Sequence, residues 1–219
     1  MLYIVSTPIG NLEDITFRAV RILKEVDGIA CEDTRTSSTL LHHYDIKKPL
    51  ISFHSHSGVM KIDKIIQDLK DGKNIALISD AGTPGISDPG YALIKEALVN
   101  DIDVVPIPGV TACITALSAS GMPSNHFLYL GFLPIKKGRQ TLLKKLQTKE
   151  ETVVIYESVH RILKTLEDFQ EYFGAETQIV VARELTKKFE EFQRGSIEEV
   201  REYFEKNKDK VKGEFVIIF

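Results

Sequence analysis

One segment, residues 77–90, constrains this chain more than any other: Leu-Ile-Ser-Asp-Ala-Gly-Thr-Pro-Gly-Ile-Ser-Asp-Pro-Gly. The apolar run Ile75 to Ile78 leads into it and a helix-like stretch, Tyr91 to Val99, follows it. A buried strand that opens into a glycine- and proline-rich loop is where open α/β sheets bind small molecules, outside the carboxyl ends of their strands. Gly82, Gly85 and Gly90 allow main chain to approach a ligand, and Pro84 and Pro89 stiffen the loop. Asp80 and Asp88 add acceptors for sugar hydroxyls or a cationic group. The plainer reading is a strand-to-helix turn built from ordinary turn residues. Such connections usually run about 2–6 residues, and this one is longer.

The rest of the amino-terminal half repeats the pattern. Tyr3-Ile4-Val5 is a candidate strand ending in Ser6-Thr7-Pro8-Ile9-Gly10, and Ile15, Val20, Leu23 and Val26 follow near helical spacing. Ile29-Ala30-Cys31 delivers Glu32, Asp33, Thr34 and Arg35 to a second strand end. Leu50 to Phe53 ends at His54-Ser55-His56, and Val59, Ile62, Ile65, Ile66 and Leu69 form one face of a helix. Val104 to Ile107 gives a fifth strand, closed by Pro108-Gly109 and followed by a small-residue helix from Val110 to Ala119. Strands alternating with helices at this spacing predict a parallel sheet with its loop ends along one rim. From Phe127 the pattern changes. Strands are predicted over 127–130, 152–156, 178–182, 189–194 and 215–219, which makes an amino-terminal α/β domain over 1–113 and a mixed-sheet α/β domain over 114–219.

Composition narrows the function. Hydrophobic residues make up 43% of the 219 positions and charged residues 27%, an ordinary globular balance. No apolar run approaches the ~20 residues of a membrane span, and the first residues read as a strand rather than a leader. Cys31 and Cys113 have no metal or redox spacing, so buried free thiols and a cytoplasmic location are expected. A net charge of −3 argues against indiscriminate nucleic-acid binding but leaves room for a local basic patch. Pro134 to Lys149 is that patch: Lys136, Lys137, Arg139, Lys144, Lys145 and Lys149 with no acidic residue. It suits phosphate contacts, and a solvated helix face would read the same way.

Other clusters stay open. His54 and His56 share one face of an extended segment, yet no third ligand declares a metal, and none is expected. Glu32 to Arg35 serves either function or the capping of a helix. Glu157-Ser158-Val159-His160-Arg161 places an acid, a titratable base and a cation just past a strand, which a charged helix start would also explain. Arg183-Glu184-Leu185-Thr186 follows another strand. There is no G-x-G-x-x-G after a strand and no assignable Ser/His/Asp arrangement.

Taken together, Thr7-Pro8-Ile9-Gly10-Asn11-Leu12, Glu32-Asp33-Thr34-Arg35, Ser79 to Pro84 with Ser87-Asp88-Pro89-Gly90, Gly131-Phe132-Leu133-Pro134, Tyr156-Glu157-Ser158 with His160-Arg161, and Ala182 to Lys187 resemble one group. It is the ribosomal RNA small-subunit methyltransferase I group of the tetrapyrrole (corrin/porphyrin) methylase superfamily, and the resemblance runs from residue 3 to about 217. It implies two α/β domains with the cofactor in the cleft between them, and a homodimer. It also implies S-adenosylmethionine-dependent 2′-O-methylation of a cytidine in the decoding region of 16S ribosomal RNA, free or in the small subunit. By position, Pro8, Asp80, Gly82, Thr83, Pro84, Ser87, Thr111, Ala112, Tyr156, Glu157 and Leu185 would line the cofactor. Glu157, His160 and Glu32 are the candidate bases; Arg35, Lys136, Lys137, Arg139, Arg161 and Arg183 are the candidate substrate contacts. Val159 departs from the group's usual proline, and many members continue past the last strand. The alternatives are a small-molecule tetrapyrrole methylase and a non-catalytic RNA-binding module.

Overall fold

The structure, a computed structural model, describes residues 1–54 and 59–219. The chain divides into two units, Met1–Thr111 and Ala112–Phe219.

In the first unit the strands β1 (Leu2–Val5), β2 (Gly28–Cys31), β3 (Leu50–Ser52), β4 (Ile75–Leu77) and β5 (Val104–Ile107) form a five-stranded sheet in the order β3-β2-β4-β1-β5. Every pairing is parallel. Between them run α1 (Phe17–Glu25), α2 (Thr34–His43), α3 (Val59–Lys70) and α4 (Tyr91–Val99). Successive strand residues point to opposite faces, and both faces here are covered. Val5, Ile29, Cys31 and Ala76 pack with Ala19, Ile22 and Leu23 of α1, while Leu2, Ile4, Ala30, Ile75 and Leu77 pack with Ile65, Ile66 and Leu69 of α3 and Leu93 and Ala97 of α4. Apolar residues therefore run unbroken along β1, β2 and β4, and all five strand ends open on one rim. Thr16 starts α1 by accepting the Ala19 N–H, and Asp33 starts α2 by accepting that of Arg35.

The second unit opens with α5 (Ala112–Ser118) and carries β6 (Phe127–Phe132), α6 (Arg139–Leu146), β7 (Thr152–Ser158), α7 (Ile162–Phe173), β8 (Gln178–Arg183), β9 (Glu191–Ser196), α8 (Ile197–Lys206) and β10 (Glu214–Ile218). Its sheet has the order β6-β7-β10-β8-β9; β6 and β7 are parallel and the other pairs antiparallel. Phe169, Phe204, Phe215, Ile155 and Ile217 are among the residues that fill its core. Ser196 and Glu199 form a reciprocal capping box at the start of α8. A bulge between Tyr129 and Gly131 shifts the β6 register. Cys31 and Cys113 are buried free thiols, and among the described residues no helix is long and apolar enough to cross a membrane.

Candidate active site

The amino-terminal rim is tied together by short polar links. Thr7 and Gly82 exchange both backbone hydrogen bonds, at 2.8 and 3.0 Å, so the loop after β1 pairs with the loop after β4. The Thr7 hydroxyl donates to the Ser79 carbonyl at 3.0 Å. A row of hydroxyls continues the tie: Ser6 Oγ lies 2.9 Å from Thr83 Oγ1, which lies 2.8 Å from Thr111 Oγ1 and 3.1 Å from the Val110 carbonyl. The ends of β1, β4 and β5 are thus one hydrogen-bonded surface. Gly109 is required here, because a Cβ on it would stand 2.6 Å from the Ser6 Cβ. Within the long loop Gly82 and Gly85 take φ of 83° and 85°, and Ser87, which carries a side chain, takes 64°. Non-glycine residues held at positive φ concentrate at functional sites.

Carboxylates collect on the same rim. Asp80 accepts the Asp33 N–H at 3.0 Å, bringing the loop after β4 against the end of β2. Burial raises the Asp88 carboxyl to about 6, and the charges of Glu32 and Asp80 reinforce the shift. Burial also raises Glu32, with Asp80 adding to it and His54 opposing it. The rim therefore gains from a positive ligand, which would relieve repulsion among Glu32, Asp80 and Asp88. Among the described residues there is no group of three or more His, Cys, Asp or Glu side chains arranged to hold a metal. His56 lies outside the described residues.

In the second unit the Glu157 carboxylate is wholly enclosed. One oxygen accepts from Arg161 at 2.8 Å and from the Ser158 N–H at 2.7 Å; the other accepts from the Thr165 hydroxyl at 2.7 Å. Arg139 joins this network, donating to Thr165 and to Asp168 at 2.8 Å each. Tyr156 accepts the Cys113 N–H at 3.0 Å, and burial pushes its phenol well above the ordinary range. Leu185 is buried between Glu184 and Thr186, both at positive φ (50° and 65°), a strained turn at the end of β8.

These positions sort the expectations by environment. Pro8, Asp80, Gly82, Thr83, Pro84, Ser87 and Thr111 share the rim of the first unit, and Glu32 lies beside them. Ala112, Tyr156, Glu157, His160 and Leu185 belong to the second unit. The guanidinium of Arg139 is spent on Asp168, that of Arg161 on Glu157 and that of Arg183 on Glu191, all within that unit. Arg35 is exposed and pairs with Asp33. Lys136 and Lys137 are exposed. Asp88, read from the sequence as an acceptor beside Asp80, is not among the cofactor positions that the resemblance implies. Its spacing from Asp80 was visible, but nothing in the sequence showed that it folds back toward Glu32.

This fold and rim define a class, and the comparisons agree on it. The description "Tetrapyrrole (Corrin/Porphyrin) Methylases" matches residues 1–201, and the chain belongs to that family. Within it, the chain is 50% identical over 219 residues to a protein of Haemophilus influenzae named ribosomal RNA small subunit methyltransferase I, covering all of this chain and 77% of that protein. It is 49% identical to the protein of the same name from Bacillus subtilis, covering 100% and 74%. Among solved structures, diphthine synthase superposes with a TM-score of 0.75 at 11% identity, covering 100% of this chain and 89% of the other. Thermus thermophilus uroporphyrin-III C-methyltransferase, crystallised with S-adenyl homocysteine, gives 0.65 at 18%, covering 99% and 96%. At those identities the structures speak for the fold alone.

Proposed function

We propose that this protein transfers the methyl group of S-adenosylmethionine to the 2′-hydroxyl of a cytidine in the decoding region of 16S ribosomal RNA. The observation that carries the reading is identity near one half, along the whole chain, with relatives named for methylation of small-subunit ribosomal RNA. The donor, when bound, supplies a positively charged sulfonium with a transferable methyl. The residues present fit such a ligand. A Cβ on Gly85 would meet nothing nearer than Ile94 at 3.9 Å, so the loop is open to close approach, and a positive ligand beside Asp88 would offset the burial and the Glu32 and Asp80 charges that raise it.

The roles follow from environment. Thr83, Ser6 and Thr111 present hydroxyls, and the Thr7–Gly82 bridge fixes the loop that carries them. Pro8 and Pro84, both buried, stiffen the two bridged loops. A ribose hydroxyl needs its proton withdrawn as the oxygen attacks. Glu32 suits that task, because its raised pKa makes it a stronger base than an ordinary carboxylate while it remains partly exposed. His160 is exposed and is the second candidate. Glu157 has both oxygens engaged and no exposed surface, so we assign it to holding its unit's loops in place rather than to proton transfer. The reading includes a homodimer. The apolar side of α4, with Tyr91 at 73%, Leu98 at 58% and Val99 at 68% exposure, offers a surface for it. The test is incubation with tritium-labelled donor and small ribosomal subunits lacking the modification. Label in the RNA supports the reading; label only in a tetrapyrrole acceptor offered in parallel defeats it.

A further inference from the structure

From the geometry at the end of β6 we infer that Phe132 is a stacking platform for an unpaired base of the RNA substrate, with Lys136 and Lys137 as its phosphate contacts. The inference rests on the proposed RNA substrate and adds to it the part of this chain that engages RNA.

Four observations carry it. Phe132 is 54% exposed and Ile135, three residues on, is 75% exposed. The β6 bulge determines which way Phe132 faces. Gly131 takes φ of 62°, and two residues of β6 stand opposite one of β7, so the register moves by one and the strand's last side chain changes face. Second, the ring is braced rather than loose. Its centroid lies 5.8 Å from that of Tyr156 in an edge-on arrangement, and the Arg161 guanidinium carbon lies 5.9 Å from it. A braced aromatic gives a stacking surface at little entropic cost.

Third, the loop after the ring is held at both ends by the buried network. Arg161 donates to the Leu133 carbonyl at 2.9 Å and Arg139 to the Pro134 carbonyl at 3.3 Å. Both guanidiniums are anchored in turn, on Glu157 and on Asp168. Arg139 and Arg161 therefore present the loop instead of touching substrate themselves. Fourth, the charge is right for RNA. Lys136 and Lys137 stand at the exposed tip, and no acidic residue occurs from Pro134 to Lys149 although the whole chain carries −3. An exposed ring beside uncompensated lysines is how single-stranded RNA is held, by stacking plus phosphate neutralisation. A protein partner would instead leave a larger apolar surface free of such one-signed charge.

The test uses the full chain and purified, unmodified 16S ribosomal RNA, with RNA affinity measured at two salt concentrations and S-adenosylmethionine affinity measured separately by calorimetry. Phe132→Ala and Phe132→Leu should each weaken RNA binding roughly 5- to 100-fold, Phe132→Tyr should not, and donor affinity should hold in all three. Phe132→Leu keeps an apolar side chain against Tyr156, so it guards against a folding defect in the alanine variant. Lys136→Ala with Lys137→Ala should lower the salt slope by about 0.7 per lysine while leaving the effect of Phe132 intact. Wild-type affinity for RNA in a folded Phe132→Leu protein overturns the inference and leaves the methyltransferase reading standing. A wild-type protein that binds neither the free RNA nor unmodified small ribosomal subunits overturns both.

Discussion

Asp88→Asn separates a rim built for a cation from one that is merely acidic. In the wild type, burial, reinforced by Glu32 and Asp80, lifts the Asp88 carboxyl from 3.8 to about 6. Such a group is only about one-tenth ionised near pH 5 and almost wholly ionised near pH 7.5. A ligand with a positive sulfonium favours the ionised form, so its binding releases a proton and tightens as pH rises through 6. An adjacent opposite charge lowers a carboxyl by about one unit at the modest end, or ~1.4 kcal/mol, which is roughly tenfold in Kd. S-adenosylhomocysteine carries the same amine and carboxylate but a neutral sulphur, so its curve should be flatter. Calorimetry of both ligands near pH 5, 6 and 7.5, on wild type and Asp88→Asn, checks this. The variant should lose most of the difference between the two ligands. The apo protein offers a second reading of the same group. A folded value above the unfolded one means the folded chain holds this proton more tightly, so stability falls as pH climbs from 3.8 through about 6. Asp88→Asn should therefore be the more stable protein near pH 8, by on the order of 1 kcal/mol once solvent screening is allowed for. Donor and product curves that run parallel in both proteins would refute the reasoning.

Other expectations are independent of that one. Thr83→Val removes the hydroxyl that links Ser6, Thr111 and the Val110 carbonyl, and should cost about 1 kcal/mol in thermal unfolding together with several-fold in donor affinity. Gly109→Ala forces a Cβ against Ser6 and should destabilise by ~1–3 kcal/mol, read by denaturant titration. Burial would raise Glu191, but Lys210, Tyr203 and Arg183 override it and hold its carboxyl at about 2. That depressed value contributes stability present above the ordinary 4.5 and lost as pH falls toward 2, so Glu191→Gln should flatten the acid limb of the stability profile. Glu157→Gln leaves Arg161 without its buried counter-charge and should lower stability by roughly 3 kcal/mol, whereas His160→Ala, at an exposed turn, should leave the melting temperature unchanged.

The parallel sheet was legible because β1, β2 and β4 are buried on both faces, and continuous apolar runs between glycine-rich ends leave few alternatives. Strand ends shifted by a residue or two. The last hairpin strand was expected over 189–194 and lies at Glu191–Ser196, since the polar alternation of β9 marks its end weakly. The small-residue helix expected over 110–119 is shorter, Ala112–Ser118, because Val110 and Thr111 instead lie along the hydrogen-bonded rim. At the site, motif positions were readable and partners were not. Glu157, Arg139, Arg161 and Arg183 carry the residue types of catalysis and phosphate binding, but the fold spends them on ion pairs: Glu157 with Arg161 across one turn, Arg183 with Glu191 on the neighbouring strand, and Arg139 with Asp168, far off in sequence. Asp88 shows the converse. A loop aspartate acquires a perturbed proton affinity because the fold buries it and sets it near Glu32 and Asp80.

The destination of the methyl group decides the function. A 2′-O-methyl group blocks the attack of that oxygen on the neighbouring phosphodiester, so small-subunit RNA treated with this protein and S-adenosylmethionine should show one new alkali-resistant linkage, at a cytidine of the decoding region. RNA that takes up label yet cleaves at every linkage, or that takes up none, contradicts it.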